Sequence, residues 1–368
     1  MLWGISVNYG LNINPGILNT SFYKKQSDYT RFLTEINAHI AGQAFNTFPE
    51  DYSLTNIRVE GMLANINQGD TLIIQFPVYV NPQIFKLMAD FVHNQRDGKV
   101  IGIFHEFEGL KTGELATSPE NQQDSWNSFN LGTYDVIPEI FDALIVQSAA
   151  FKRGLQRRLN YDKPIIVQGP YGYKLYNDFY LKNRTFSKRI NLIDNLDSTN
   201  YLIDAPASWE LDVYGPGLNS ALKERFEKEA NFNYYGEVDP VEIASKLKDG
   251  FGLVWESSRY DTVDGPESNY LKYRYPHKLS LYLAANLPII IWNKAAAADW
   301  VVKNDLGFAV ANLSDIQPLL EALTEEQYQK YQRSLSKISP LIREGIFEKE
   351  AAIKAYRAVN QEDYQADF

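Results

Sequence analysis

At Pro276-His277-Lys278 a proline, an imidazole and an ammonium stand together at the expected first turn of a helix. Proline is comfortable there. The open amides of such a turn and the positive end of the helix dipole attract anions. Lys278 would complete a site for a diphosphate, neutralising charge on a leaving group as a divalent metal does in other enzymes. A lysine merely solvated at a helix start is the plainer alternative. Lys272 and Arg274 share the preceding loop as second-line phosphate contacts, and His277 either bonds phosphate or caps the helix. A second constellation, His105-Glu106, closes an apolar run and offers two groups able to take a proton from a hydroxyl. Glu106 is the preferred base and His105 its neighbour or substitute; a strand-end polar pair without chemistry is the competing reading. Gln75 ends an analogous run and is a candidate contact for the accepting molecule.

Other chemistries find no support in the residue types. Cysteine is absent, which excludes disulfides, zinc–thiolate sites and a cysteine nucleophile, and fits a reducing cytoplasm as the expected location. The four histidines, at 39, 93, 105 and 277, have no tight ligand spacing, and Asp261 and Asp264 lack a calcium-loop pattern, so no metal and no resident cofactor are expected. No phosphate-loop, dinucleotide or serine-hydrolase fingerprint occurs. A formal net charge of −10 leaves no general basic field for nucleic acid. No apolar run is long enough for a membrane span, and the start MLWGISVNYGLNINPG lacks the basic and long apolar regions of a secretory signal.

These groups need a scaffold, and the 368 residues exceed one ordinary core, which predicts two domains. In the first half, TLIIQF (71–76), KVIGIFHE (99–106), DALIVQS (142–148) and KPIIVQGP (163–170) read as buried strands, separated by helical patterns such as 81–95. The stretch 171–189 loses all period and reads as a connection. A second series follows, with strands at 189–194, 209–215, 232–237, 251–256 and 287–292. Helices at 217–230, 240–248, 276–286, 295–304 and 314–323 separate them, and a helical charged tail covers 324–359. The fold class is α/β, as two Rossmann-like doubly wound domains facing a cleft, and ligands are expected outside the carboxyl ends of the strands.

The segment 251–310 is the most specific. GFGLVWE (250–256), NYLKYRYPHKLSLYLAANLPIIIW (269–292) and KAAAADWVVKNDLG (294–307) resemble the donor half of GT-B glycosyltransferases. More narrowly, they resemble the bacterial glucosyltransferases that extend O-linked N-acetylglucosamine on serine-rich repeat adhesins, and related galactofuranosyltransferase-like proteins. GDTLIIQFP (69–77), KVIGIFHEFEGLK (99–111) and FDALIVQSAAF (141–151) follow in matching order. Departures are local. Asn286 stands where a glycine commonly precedes Leu-Pro, and Arg274 where asparagine is frequent. In NLIDNLDSTNYL (191–202), Asp194 and Thr199 fill places that many relatives give to glycine and lysine. The E-x7-E pair of retaining GT-B enzymes is missing, since neither Tyr273 nor Leu281 is acidic; the stereochemical outcome stays open, with a lean toward inversion.

The resemblance implies an acceptor-side domain at 1–175, onto which a C-terminal helix at about 345–368 can pack back, and a nucleotide-sugar domain at 188–340. It implies a UDP-sugar co-substrate without metal, glucose from UDP-glucose, and a GlcNAc-modified protein or glycan acceptor, in a homo-oligomer such as a tetramer. UDP-GlcNAc or UDP-galactofuranose donors in polysaccharide assembly, or a non-catalytic glycan-binding or chaperone subunit, are the alternatives. On this reading Tyr235 stacks on uracil, or is a core tyrosine, while Gly236 allows close backbone approach. Asn195 and Ser198 meet the pyrophosphate, and Asn269 and Tyr270 face sugar or ribose. Asn14 and Gly16 lie in a turn that approaches donor and acceptor, although Pro-Gly is also a generic turn.

Overall fold

A computed structural model describes residues 8–12, 21–43, 52–76, 82–111, 136–176, 184–205 and 208–360. The chain divides into two compact units, Met1–Gly169 with Ile346–Phe368, and Pro170–Gly345.

The first unit is built on a parallel sheet of β1 (Asn8–Asn12), β2 (Ala38–Gln43), β3 (Thr71–Phe76), β4 (Lys99–Phe104), β5 (Ala143–Val146) and β6 (Ile165–Val167), in the order β2-β1-β3-β4-β5-β6. Every residue of β3 and β5 is buried, as expected for strands covered on both faces. The helix Ile346–Asn360 returns to this unit and packs on β4, β5, β6 and the helix Ser21–Thr34. Its buried face includes Ala351, Ala352 and Ala355, whose small side chains permit a close approach.

The second unit holds β7 (Ile190–Ile193), β8 (Leu211–Tyr214), β9 (Phe232–Tyr234), β10 (Phe251–Val254), β11 (Ile289–Trp292) and β12 (Gly307–Val310). All pairs are parallel, in the order β12-β11-β10-β7-β8-β9. This is the doubly wound Rossmann order, and the winding reverses between β7 and β10. The isoleucines Ile289, Ile290 and Ile291 are fully buried, each worth about 1.5–3 kcal/mol against exposure.

Two details fix the helix His277–Ala284 against this sheet. The Tyr282 hydroxyl accepts the Ile193 amide at 2.9 Å, tying the helix to the end of β7. Gly252 lies beneath the same ring, where any Cβ would overlap it. At its far end the helix closes in a Schellman turn, with Leu287 N–H to Tyr282 O and Asn286 N–H to Leu283 O. Asn286 holds φ at +59°, a left-handed backbone that asparagine adopts more readily than most side chains. Arg184, largely buried, donates to Ala285 O and Leu247 O and so satisfies carbonyls at the ends of two helices.

Several boundaries differ from the sequence expectation. The edge strand β2 and the terminal strand β12 were not expected, and the helix expected over 81–95 runs as an α-helix at Pro82–Asp90 and a π-helix at Phe91–Gln95. The helix expected at 240–248 is a single turn, Ile243–Lys246. The helical tail is two helices, Glu325–Arg343 and Ile346–Asn360, broken where Gly345 takes φ +59°.

Candidate active site

At the winding reversal of the second sheet, three loops converge. Asp194 follows β7, Glu256 follows β10, and Lys278 is the second residue of the helix that leads into β11. Lys278 Nζ lies 2.6 Å from Asp194 Oδ2 and 3.6 Å from Glu256 Oε1, while an Arg274 guanidinium nitrogen lies 2.6 Å from Glu256 Oε2. The four side chains are only 12–20% exposed. Two cations and two carboxylates thus make a nearly buried, formally neutral cluster.

The four groups do not share the field equally. Burial pushes the Asp194 carboxyl up, only partly opposed by Lys278, and Glu256 adds to the rise. Burial also acts on Glu256, yet Arg274 and Lys278 outweigh it and hold that carboxyl below its ordinary range. For Lys278, burial alone would favour the neutral amine; Asp194 and Glu256 overcome it and keep the ammonium charged. The Tyr201 hydroxyl beside them is buried, feels the charges of Asp194 and Glu256, and has no hydrogen-bond partner among the described residues.

The sequence places Lys278 at an anion-binding helix start, and the structure puts that start at the switch point. Pro276 is the N-cap rather than the first helical residue, and its side chain supplies no capping hydrogen bond. His277 packs against Tyr173 at 4.9 Å and, edge-on, against Tyr171 at 6.1 Å between ring centroids. Arg274 is held by Glu256 instead of projecting freely. Lys272 is exposed, bonds Asn269 Oδ1 at 2.8 Å and lies 5.6 Å from the Trp292 ring. Tyr270 is buried, with its ring under the Arg274 guanidinium, 5.3 Å from centroid.

Asn195 caps the short helix Leu196–Ser198 by accepting the Asp197 amide, so its oxygen is already engaged; of Ser198 only the backbone is described. Gly215 lies against this loop, where a Cβ would collide with the Asp194 carbonyl. Tyr235 is half exposed, but one face of its ring stacks on Tyr214 at 4.9 Å and 14°, and its hydroxyl associates with Asp212. At most one face is left for a base. Gly236 has φ +79°, a left-handed turn that favours glycine, and open space where a Cβ would stand. Asn14 and Gly16 lie outside the described residues.

In the first unit, Gln75, His105 and Glu106 stand at the carboxyl edge of the sheet. The Gln75 amide nitrogen donates to Thr30 Oγ1 at 2.7 Å and to Gln26 O at 3.2 Å, which turns its oxygen toward His105 Nε2 at 2.8 Å. His105 therefore carries its proton on Nε2. It is buried edge-on to Tyr29. The ring holds the strand end in place, whereas Glu106 keeps 40% of its side chain exposed, 3.7 Å from the buried Lys25 ammonium. Of the pair, Glu106 is the group a substrate can reach.

Sequence reading passed over Asp194 and Glu256 as site members and missed Lys25. The available signal was Asp194 itself, a carboxylate directly after a buried strand. Among the described residues, no group of three or more histidine, aspartate or glutamate side chains is placed to hold a metal, and no helix is long and apolar enough to cross a membrane.

Comparison with known proteins gives one consistent result. A family model described as Glucosyltransferase 3-like, N-terminal domain, matches residues 12–170, and its partner, Glucosyltransferase 3-like, C-terminal domain, matches residues 190–355. Glucosyltransferase 3 of Streptococcus gordonii is 26% identical over 91% of this chain and 93% of its own. Beta-1,6-galactofuranosyltransferase WbbI of Escherichia coli K12 is 24% identical over 80% of this chain and 81% of its own. Among solved structures, a sucrose-phosphate synthase from Thermosynechococcus elongatus is similar in fold, with a TM-score of 0.63 at 12% identity, covering 96% of this chain and 99% of that one.

Proposed function

The chain belongs to the Glucosyltransferase 3-like family of GT-B, nucleotide-sugar-dependent glycosyltransferases, and we propose that it transfers glucose from UDP-glucose to an N-acetylglucosamine already attached to a protein or glycan. The observation that carries this reading is the Lys278 ammonium on the first turn of a proline-led helix at the switch point of the second sheet. As the acceptor oxygen bonds the anomeric carbon, the bond from that carbon to the diphosphate oxygen breaks. The acceptor proton passes to Glu106, and the charge left on UDP is met by Lys278 and the helix amides. No metal is assigned a part, since the lysine and the helix dipole supply the positive charge.

The similarity to a galactofuranosyltransferase supports UDP-galactofuranose as the second donor candidate, with UDP-GlcNAc as a third. A donor screen separates them: the full chain is incubated with each UDP-sugar and a GlcNAc-bearing acceptor, with a chelator present, and UDP release is followed. Acceptor-dependent release from UDP-glucose is expected, undiminished by the chelator. Preference for another donor corrects the sugar. Binding of UDP-sugars with no turnover on any acceptor would instead identify a non-catalytic subunit.

A further inference from the structure

The lysine assigned to the diphosphate is already engaged. Its ammonium sits on Asp194 at 2.6 Å, with Glu256 at 3.6 Å, inside a cluster whose charges cancel. A diphosphate brought to Lys278 must meet these two carboxylates at close range, where like charges separated from water repel strongly. Glu256 is anchored by Arg274 as well as Lys278, whereas among the described residues the salt bridge of Asp194 is to Lys278 alone.

We propose that Asp194 sets the affinity for the donor by competing with its diphosphate for Lys278, so that donor binding requires Asp194 to take up a proton. The inference rests on the assignment of Lys278 to the diphosphate. The groups facing Asp194 are Lys278 and Tyr282 from the helix His277–Ala284, Glu256 from the loop after β10, Tyr201 from the helix Tyr201–Asp204, and the backbone amide of Asn195. Of these, Glu256 is held ionised by two cations and Lys278 is held charged, while burial raises the Asp194 carboxyl. Asp194 is therefore the member that accepts the proton. Once protonated it can still accept the Asn195 amide, so the loop keeps its shape.

Calorimetric titration of the full chain with UDP-glucose, whose diphosphate diester does not itself titrate near neutrality, tests this at several pH values and in buffers of different ionisation enthalpy. Wild type should take up close to one proton per donor, with Kd rising toward tenfold for each unit of pH above the Asp194 transition. Asp194→Asn should bind at least about tenfold more tightly at pH 8 and lose both the proton uptake and the slope. Weaker or unchanged binding by Asp194→Asn would mean that the carboxylate positions Lys278 or is inert, and would overturn the inference while leaving the diphosphate assignment standing. A slope that persists in Asp194→Asn would place the titration on a neighbour such as His277 and overturn it equally. Absence of UDP-glucose binding in both proteins at every pH would remove the Lys278 assignment and this inference with it.

Discussion

Lys278→Ala should reduce kcat for glycosyl transfer by about 10²–10³-fold, the range seen when one group stabilising transition-state charge is removed. The loss should fall mainly on kcat, because charge on the departing diphosphate oxygen grows as the glycosidic bond breaks. A single substitution also leaves Asp194 and Glu256 facing each other with Arg274 alone to offset them. Breaking a buried pair in this way costs about 3–5 kcal/mol of stability, which could by itself lower activity. The double variant Lys278→Ala/Asp194→Ala removes one charge of each sign and restores neutrality. It should unfold near the wild-type temperature and remain as inactive as the single variant. Recovery of transfer in the double variant would show that Lys278 serves folding and not the donor.

The second large effect is expected at the other end of the reaction. Glu106→Gln keeps the size and hydrogen-bonding capacity of the side chain but cannot accept a proton, and should lower kcat by roughly 10²–10⁴-fold with little change in donor binding. His105 differs. Its Nε2–H is committed to Gln75, which is held in turn by Thr30 and Gln26, so the imidazole orients the end of β4 from inside the core. His105→Ala should therefore cost stability first and reduce turnover less than Glu106→Gln does. Equal losses from the two variants, with the fold of each intact by circular dichroism, would return the base role to the histidine or to the pair.

Much of the scaffold could be read from local pattern. Runs such as TLIIQF and LPIIIW are mostly apolar because parallel strands covered on both faces have no solvent side, and these became β3 and β11. The strand Ala38–Gln43 escaped notice because an edge strand can carry His39, Gly42 and an exposed Ile40, which interrupts the apolar run. β12 is four residues long, with two half-buried, too short to show a period. In the site, the helix start at Pro276 was visible because its signal is contiguous. The partners of Lys278 were not, since Asp194 is 84 residues away in sequence and meets it only through the winding of the sheet. Local chemistry could not show what else these rings touch: Tyr214 covers one face of Tyr235, and Tyr270 lies under the Arg274 guanidinium. The three residues read as departures from the resemblance each have a structural part: Arg274 pairs with Glu256, Asn286 forms a left-handed turn, and Asp194 pairs with Lys278.

A crystal structure of the full chain bound to UDP tests the donor site most directly. Diphosphate oxygens should lie within about 3 Å of Lys278 Nζ and against the first amides of the helix His277–Ala284, with Asp194 displaced from the ammonium. Phosphates bound elsewhere, with Lys278 still paired to Asp194 and Glu256, would contradict it.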